Sequence, residues 1–152
     1  MNSSAKKVLE KYKKDGFLFH GSPNEISSSI EPRQAQDVDK SNIFNNANAV
    51  FATDDYVMSM AYSLMNLKLL PIFNGLSCSI NYNSNKKVIA NFPQEWECKI
   101  NKLVGYIYVL PKESFTETDG VQWKSQLPVE PVHRIRVTLK DYIKAGGSIK
   151  WN

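Results

Sequence analysis

From Pro71 onward the chain is a succession of short β-type segments, and this most limits what it can fold into. Cys78-Ser79-Ile80-Asn81-Tyr82 alternates, Lys87-Val88-Ile89-Ala90 is short and apolar, and Gly105-Tyr106-Ile107-Tyr108-Val109-Leu110 is the strongest strand in the chain. Residues 121–125 and 134–139 complete that half, with helices expected over 94–103 and 141–145. The N-terminal half supplies the longer helical patterns. Residues 4–14 carry Val8, Leu9 and Tyr12 as an apolar stripe, with Ser3 or Ser4 as cap and Asp15-Gly16 as stop. A second helix is expected after Thr53-Asp54-Asp55, with Val57, Met60 or Ala61, Leu64 and Leu67 at helical spacing. Between the two lie strand-like Phe17-Leu18-Phe19 and Ala49-Val50-Phe51-Ala52. With no internal repeat and no linker, the pattern predicts one α+β domain over residues 1–152, with a mostly antiparallel or split sheet flanked by helices.

Composition narrows the setting. At 152 residues, 42% hydrophobic and 22% charged, the chain can bury a core and is neither disordered nor an array. No run approaches the roughly 20 apolar residues that cross a bilayer. The start, Met-Asn-Ser-Ser-Ala-Lys-Lys, is no secretory leader, and a cytoplasmic protein is expected. Cys78 and Cys98 lack metal-type spacing and are expected to be buried free thiols. The net charge of +4 is mild, and part of it comes from Lys6, Lys7, Lys11, Lys13 and Lys14. That cluster reads either as a solvated helix face or as a site for nucleic acid; a basic cleft would serve a nucleotide phosphate equally well.

The chain lacks a Gly-Lys-Ser phosphate loop, a dinucleotide glycine fingerprint, His-Glu-x-x-His and a nucleophile elbow. With only His20 and His133, no metal site is expected. What remains is His20-Gly21-Ser22-Pro23, read as the end of the strand that starts at Phe17. A histidine there lies at a cleft rim, and Gly21 lets a ligand approach the backbone. The alternative is a histidine satisfied within a turn. The polar stretch over 24–48 is a long loop of the kind that carries function.

His20-Gly21-Ser22, together with Val50-Phe51-Ala52-Thr53 and a helix bearing Ala61-Tyr62, resembles the first two core motifs of ADP-ribosyltransferases of the diphtheria-toxin and poly(ADP-ribose) polymerase type. Glu31-Pro32-Arg33 is similar to small prokaryotic and phage members. The likeness covers roughly 17–65 well and 105–140 more weakly. It implies the split antiparallel sheet of that family and NAD as substrate. His20 would bond the adenosine-side ribose, and the Gly21 backbone and Ser22 hydroxyl would hold the nicotinamide carboxamide. Phe51 would line the pocket, Tyr62 would stack on the nicotinamide ring, and Arg33 would meet the pyrophosphate. Tyr62 is alternatively a core aromatic, with Tyr56 as the neighbouring candidate, and Arg33 alternatively a solvated loop residue. The family's third motif is a glutamate on a late strand. Here Gln122 takes that position; it bonds a hydroxyl but brings no charge. Glu113, Glu117 or the remoter Glu130 are the alternatives, with 111–120 matching the family's substrate-facing loop. The resemblance therefore implies an ADP-ribosyltransferase or NAD glycohydrolase acting on a protein or nucleic-acid acceptor. The other reading is a non-catalytic NAD, ADP-ribose or nucleotide-binding domain on the same fold.

Overall fold

Helix α1, Ala5–Lys14, starts where Ser4 Oγ accepts from the Lys7 N–H (3.3 Å). It stops at Gly16, whose φ of 86° is open to glycine at little cost, and the Phe17 N–H returns to the Tyr12 carbonyl at 3.1 Å. The computed structural model describes residues 4–34, 48–67, 69–70, 78–118 and 121–152, and at Arg33, Gln34 and Asn48 it describes the backbone.

Strand β1, Leu18–Ser22, follows directly and is longer than the sequence suggests. It runs straight through His20-Gly21-Ser22 and ends at Pro23, because a partner strand pairs with it along its whole length and overrides the turn preference of those residues. Next come β2 (Arg33–Gln34), β3 (Asn48–Thr53) and α2 (Tyr56–Ser63). The Asp55 carboxylate caps α2 by accepting from the Val57 and Met58 N–H groups at 2.9 and 3.2 Å. Leu64 closes the helix, so Leu67 lies beyond it and is exposed. Strands β4 (Ser79–Tyr82) and β5 (Val88–Phe92) precede a 3-10 turn, Gln94–Trp96, and a short α3, Glu97–Ile100, which together replace the single helix expected over 94–103. Then follow β6 (Val104–Leu110), β7 (Thr116–Glu117), β8 (Gln122–Ser125), β9 (His133–Thr138), α4 (Leu139–Lys144) and β10 (Ser148–Trp151).

The main sheet has the order β7-β8-β3-β1-β6-β9, with β2 also paired to β3, and every pairing in it is antiparallel. A second sheet, β10-β5-β4, contains one parallel pair, β10 with β5. The fold is thus α+β with a mostly antiparallel sheet. Side chains alternate across β1, so Phe19 and Gly21 face one side and Leu18, His20 and Ser22 the other. The first side buries Phe19 with Tyr56, Met60, Ile107, Val137 and residues of the small sheet. The second buries Leu18, Val50, Ala52, Tyr108 and Leu110 beneath Ile30, Phe115 and Val129. Full burial of each large side chain contributes roughly 1.5–3 kcal/mol.

Both cysteines are exposed and not buried. Cys78 precedes an edge strand, and Cys98 sits on the outer flank of α3, whose Ile100 takes the inward position. Among the described residues no helix is long and apolar enough to cross a membrane.

Candidate functional site

The main sheet opens beside His20. On one side β1 pairs continuously with β6, from Leu18 opposite Leu110 to Ser22 opposite Tyr106. On the other side it joins β3 through a single pair, Phe19 with Thr53, and there the ladder stops. His20 spans the opening, with Nδ1 at 2.6 Å from the Phe51 carbonyl oxygen. A carbonyl only accepts, so Nδ1 carries the hydrogen and donates. In the neutral ring Nε2 is then the acceptor.

Which backbone groups face this opening follows from the ladder alternation. The Asp54 N–H reaches the Val121 carbonyl (3.4 Å), so even-numbered residues of β3 address β8, and Phe51 and Thr53 address β1. The Val132 N–H bonds the Val109 carbonyl (2.9 Å), so odd-numbered residues of β6 address β9 and the even ones address β1. Leu18, His20 and Ser22 are therefore the residues whose backbone pairs with β6. The N–H and C=O of Gly21 turn the other way, into the opening. One donor and one acceptor side by side match the two polar groups of a carboxamide.

Helix α2 roofs this region from the Gly21 side. Tyr56 packs edge-on to Phe19 (6.0 Å between centroids), and Ser59 and Ser63 lie directly over Gly21. A Cβ on Gly21 would stand 1.9 Å from the Ser59 carbonyl oxygen. Helix packing therefore demands glycine here in addition to any demand from a ligand. The helix runs in the direction of β1 and is right-handed. With Ser59 against the sheet, Met60 falls on the flank toward β6 and Tyr62 on the flank toward β3, above the opening. Tyr62 is 39% exposed and Met60 fully buried, in keeping with those flanks. Tyr56 is the core aromatic of the pair: it is buried, and its hydroxyl donates to Glu10 Oε2 at 2.6 Å.

Gln122 opens β8 opposite Thr53, which is itself opposite Phe19, so it shares the α2 face with Gly21 and Phe51. Glu117 pairs across from Trp123 and shares the opposite face; Glu113 and Glu130 are exposed. Gly21, Phe51, Tyr62 and Gln122 thus lie on one side of the opening, and His20 enters it from the other. Ser22 is buried, and its oxygen accepts from the Asn24 N–H (3.1 Å), which holds the chain after β1. Arg33 pairs through its backbone with Ala49, and its side chain lies outside the described residues.

Sequence reasoning passed over the neighbours of His20. Tyr108 stands opposite it, 6.3 Å between ring centroids, and Arg134 stands opposite Tyr108. The Tyr108 hydroxyl donates to the Asn24 carbonyl (2.8 Å) and accepts from the Ile26 N–H. Burial raises its pKa above the ordinary phenol value, with Ile26 and Arg134 opposing that rise. The signal was present in β6, where Tyr106 and Tyr108 are two apart and must share a face. On the far side of the Phe19–Thr53 pair from the opening, burial raises the Asp54 carboxyl above the usual range, against the charges of Lys13 and Lys112. Trp123 Nε1 is buried without a hydrogen-bond partner among the described residues, and Lys112 Nζ lies 4.6 Å from the ring centroid. Comparison with family models, curated proteins and solved structures gives no match.

Proposed function

We propose that the opening between β1 and β3 is an NAD site and that the protein is an NAD-dependent ADP-ribosyltransferase or NAD glycohydrolase. The observation that carries this reading is the interrupted ladder, with the Gly21 backbone turned into it and Tyr62 on the flank above. The nicotinamide carboxamide bonds the Gly21 N–H and C=O, and its ring lies against Tyr62, whose face suits an electron-poor cation. His20 Nε2 accepts from a ribose hydroxyl, with the ring held in place by the bond to Phe51. In the reaction the C–N glycosidic bond breaks, neutral nicotinamide leaves with the bonding pair, and a nucleophile on water or on a protein or nucleic-acid acceptor attacks the ribosyl carbon. Gln122 bonds the nicotinamide ribose but adds no charge to stabilise the cation that develops, and charge stabilisation is usually the largest catalytic contribution.

The test is incubation of the protein with labelled NAD, alone and with cell lysate. Release of nicotinamide or transfer of label is expected; neither, where calorimetry shows NAD bound, rules out catalysis. Gln122 itself favours a second reading, a non-catalytic domain that binds NAD or ADP-ribose. No heat of binding at millimolar ligand would eliminate both. Gain of NAD cleavage in Gln122→Glu would show that the missing charge alone separates them.

A further inference from the structure

The sheet face that carries His20 holds two cross-strand rows: His20, Tyr108, Arg134 and Ser22, Tyr106, Arg136. Ser22 and Tyr108 are buried, Tyr106 is half-buried, and both arginines are exposed on β9, the edge strand. We infer that this face binds single-stranded nucleic acid, with Arg134 and Arg136 on neighbouring phosphates and the Tyr106 ring as a platform for a base. The backbone positions of Arg134 and Arg136 are one strand repeat apart, about 6.6–6.8 Å along β9, and each guanidinium is the planar fork that matches phosphate oxygens. The Arg134 guanidinium carbon lies 5.7 Å from the Tyr106 ring centroid, so cation and aromatic face are already together. Alternation of stacking surface and positive charge is what a single strand requires, because every base has a π-face and every linkage a charge.

The existing partner of Arg134 is exchangeable. Glu25 Oε1 stands 3.0 Å from Arg134 Nη2, with the two side chains 39% and 55% exposed, and water screens such a pair strongly. A phosphate takes the same position while Glu25 swings to solvent. Helix α1 extends the positive surface around the same edge, since the Tyr12 hydroxyl meets His133 Nδ1 at 3.0 Å and Lys6, Lys7, Lys11 and Lys14 follow on its outer side. An acidic polypeptide would engage the arginines but draw nothing from the Tyr106 platform, which is why the nucleic acid is favoured. The inference stands apart from the NAD reading, and its test contains no NAD.

The test is fluorescence anisotropy with labelled single-stranded DNA and RNA of about 12 nucleotides over a salt series. Binding is expected. Arg134→Ala with Arg136→Ala should flatten the slope of log K against log salt by about 1.4, at roughly 0.7 for each phosphate no longer neutralised. Tyr106→Ala should weaken binding about tenfold, and Tyr106→Phe, which keeps the platform, should not. Circular dichroism confirms that each variant folds. Several outcomes overturn the inference: no binding at low salt, or a Tyr106→Ala variant as tight as Tyr106→Phe. Binding that survives loss of both arginines but not of Lys6, Lys7, Lys11 and Lys14 places the strand on α1. Equal competition by polyglutamate makes this an acidic-polypeptide surface.

Discussion

Gly21→Ala measures how closely α2 sits on β1. The new methyl group would stand 1.9 Å from the Ser59 carbonyl oxygen, 2.9 Å from its carbon and 3.1 Å from the Ser63 nitrogen. All three are backbone atoms, so no rotamer change relieves the clash. Ordinary contact begins near 3.4 Å, and α2 would have to withdraw by about 1.5 Å. Overpacking of a core costs about 1–3 kcal/mol, and a gap of 0.5–1 Å along the rest of the helix forfeits roughly a quarter to a half of the dispersion attraction there. Together these put the loss near 3–4 kcal/mol, a large share of the roughly 5–15 kcal/mol typical of a domain. With a urea dependence of about 2 kcal/mol per molar, the unfolding midpoint should fall by about 1.5–2 M. Gly16→Ala is the control. Its φ is 86° with nothing within 4 Å, so it carries only the left-handed backbone cost of about 1–2 kcal/mol and should move the midpoint by about 0.5–1 M. A Gly21→Ala protein as stable as wild type, or no worse than Gly16→Ala, would refute the seating of α2. Gly21 would then owe its place to a ligand alone.

Tyr62→Ala should change stability by less than about 1 kcal/mol, since the side chain is 39% exposed, yet weaken NAD binding at least tenfold by calorimetry, with Tyr62→Phe close to wild type. Tyr56→Phe removes the 2.6 Å bond to Glu10 and should cost about 1–3 kcal/mol in urea unfolding. Burial and Glu10 hold the Tyr56 pKa far above its ordinary 10.0, so the folded state binds that proton more tightly than the unfolded one. The resulting stability is complete below pH 10 and lost as the pH rises further, so wild type should decline more steeply above pH 10 than Tyr56→Phe, which still declines because the Tyr142 pKa is raised too. Asp54, whose pKa burial raises from 3.8, follows the same sign: its contribution is present below pH 3.8 and lost as the pH rises. Asp54→Asn should therefore match wild type in acid and be slightly more stable at pH 7; a variant weaker at pH 7 would contradict this.

The strands of the second half were legible because alternation and β-branched or aromatic runs are local signals. The two-residue strands at Arg33–Gln34 and Thr116–Glu117 have no such signal, and Ser148–Trp151 becomes a strand only because β5 lies beside it in parallel. His20 was visible as a residue, but its position in mid-strand was not: His-Gly-Ser-Pro is turn-forming in isolation, and five consecutive pairs with β6 override that preference. Sequence spacing left Tyr56 and Tyr62 undecided, because helical phase depends on where Asp55 caps the helix. Gln122 was placeable at the start of its strand. Its distance from the alternative glutamates depends on which face each takes, and that is set by the register between β7, β8 and β3.

The interrupted ladder explains why a histidine belongs in mid-strand. Continuing the β1–β3 ladder would spend the Gly21 N–H and C=O on β3. Instead the imidazole of His20 donates to the Phe51 carbonyl, so that carbonyl keeps a partner while the strands stand apart. A side chain that only accepts could not do this, and a lysine would bring charge without a rigid ring to hold the spacing. The same bond directs Nε2, which is an acceptor in the neutral ring, away from Phe51. The two acids at the start of α2, on the far side of the Phe19–Thr53 pair, are engaged elsewhere: Asp55 caps α2 and accepts from the Tyr82 hydroxyl at 2.7 Å, and Asp54 lies in the field of Lys13 and Lys112. A carboxylate introduced at Gln122 would add a negative charge on the Gly21 face, and Gln122→Glu therefore tests whether binding and bond cleavage separate on that charge alone.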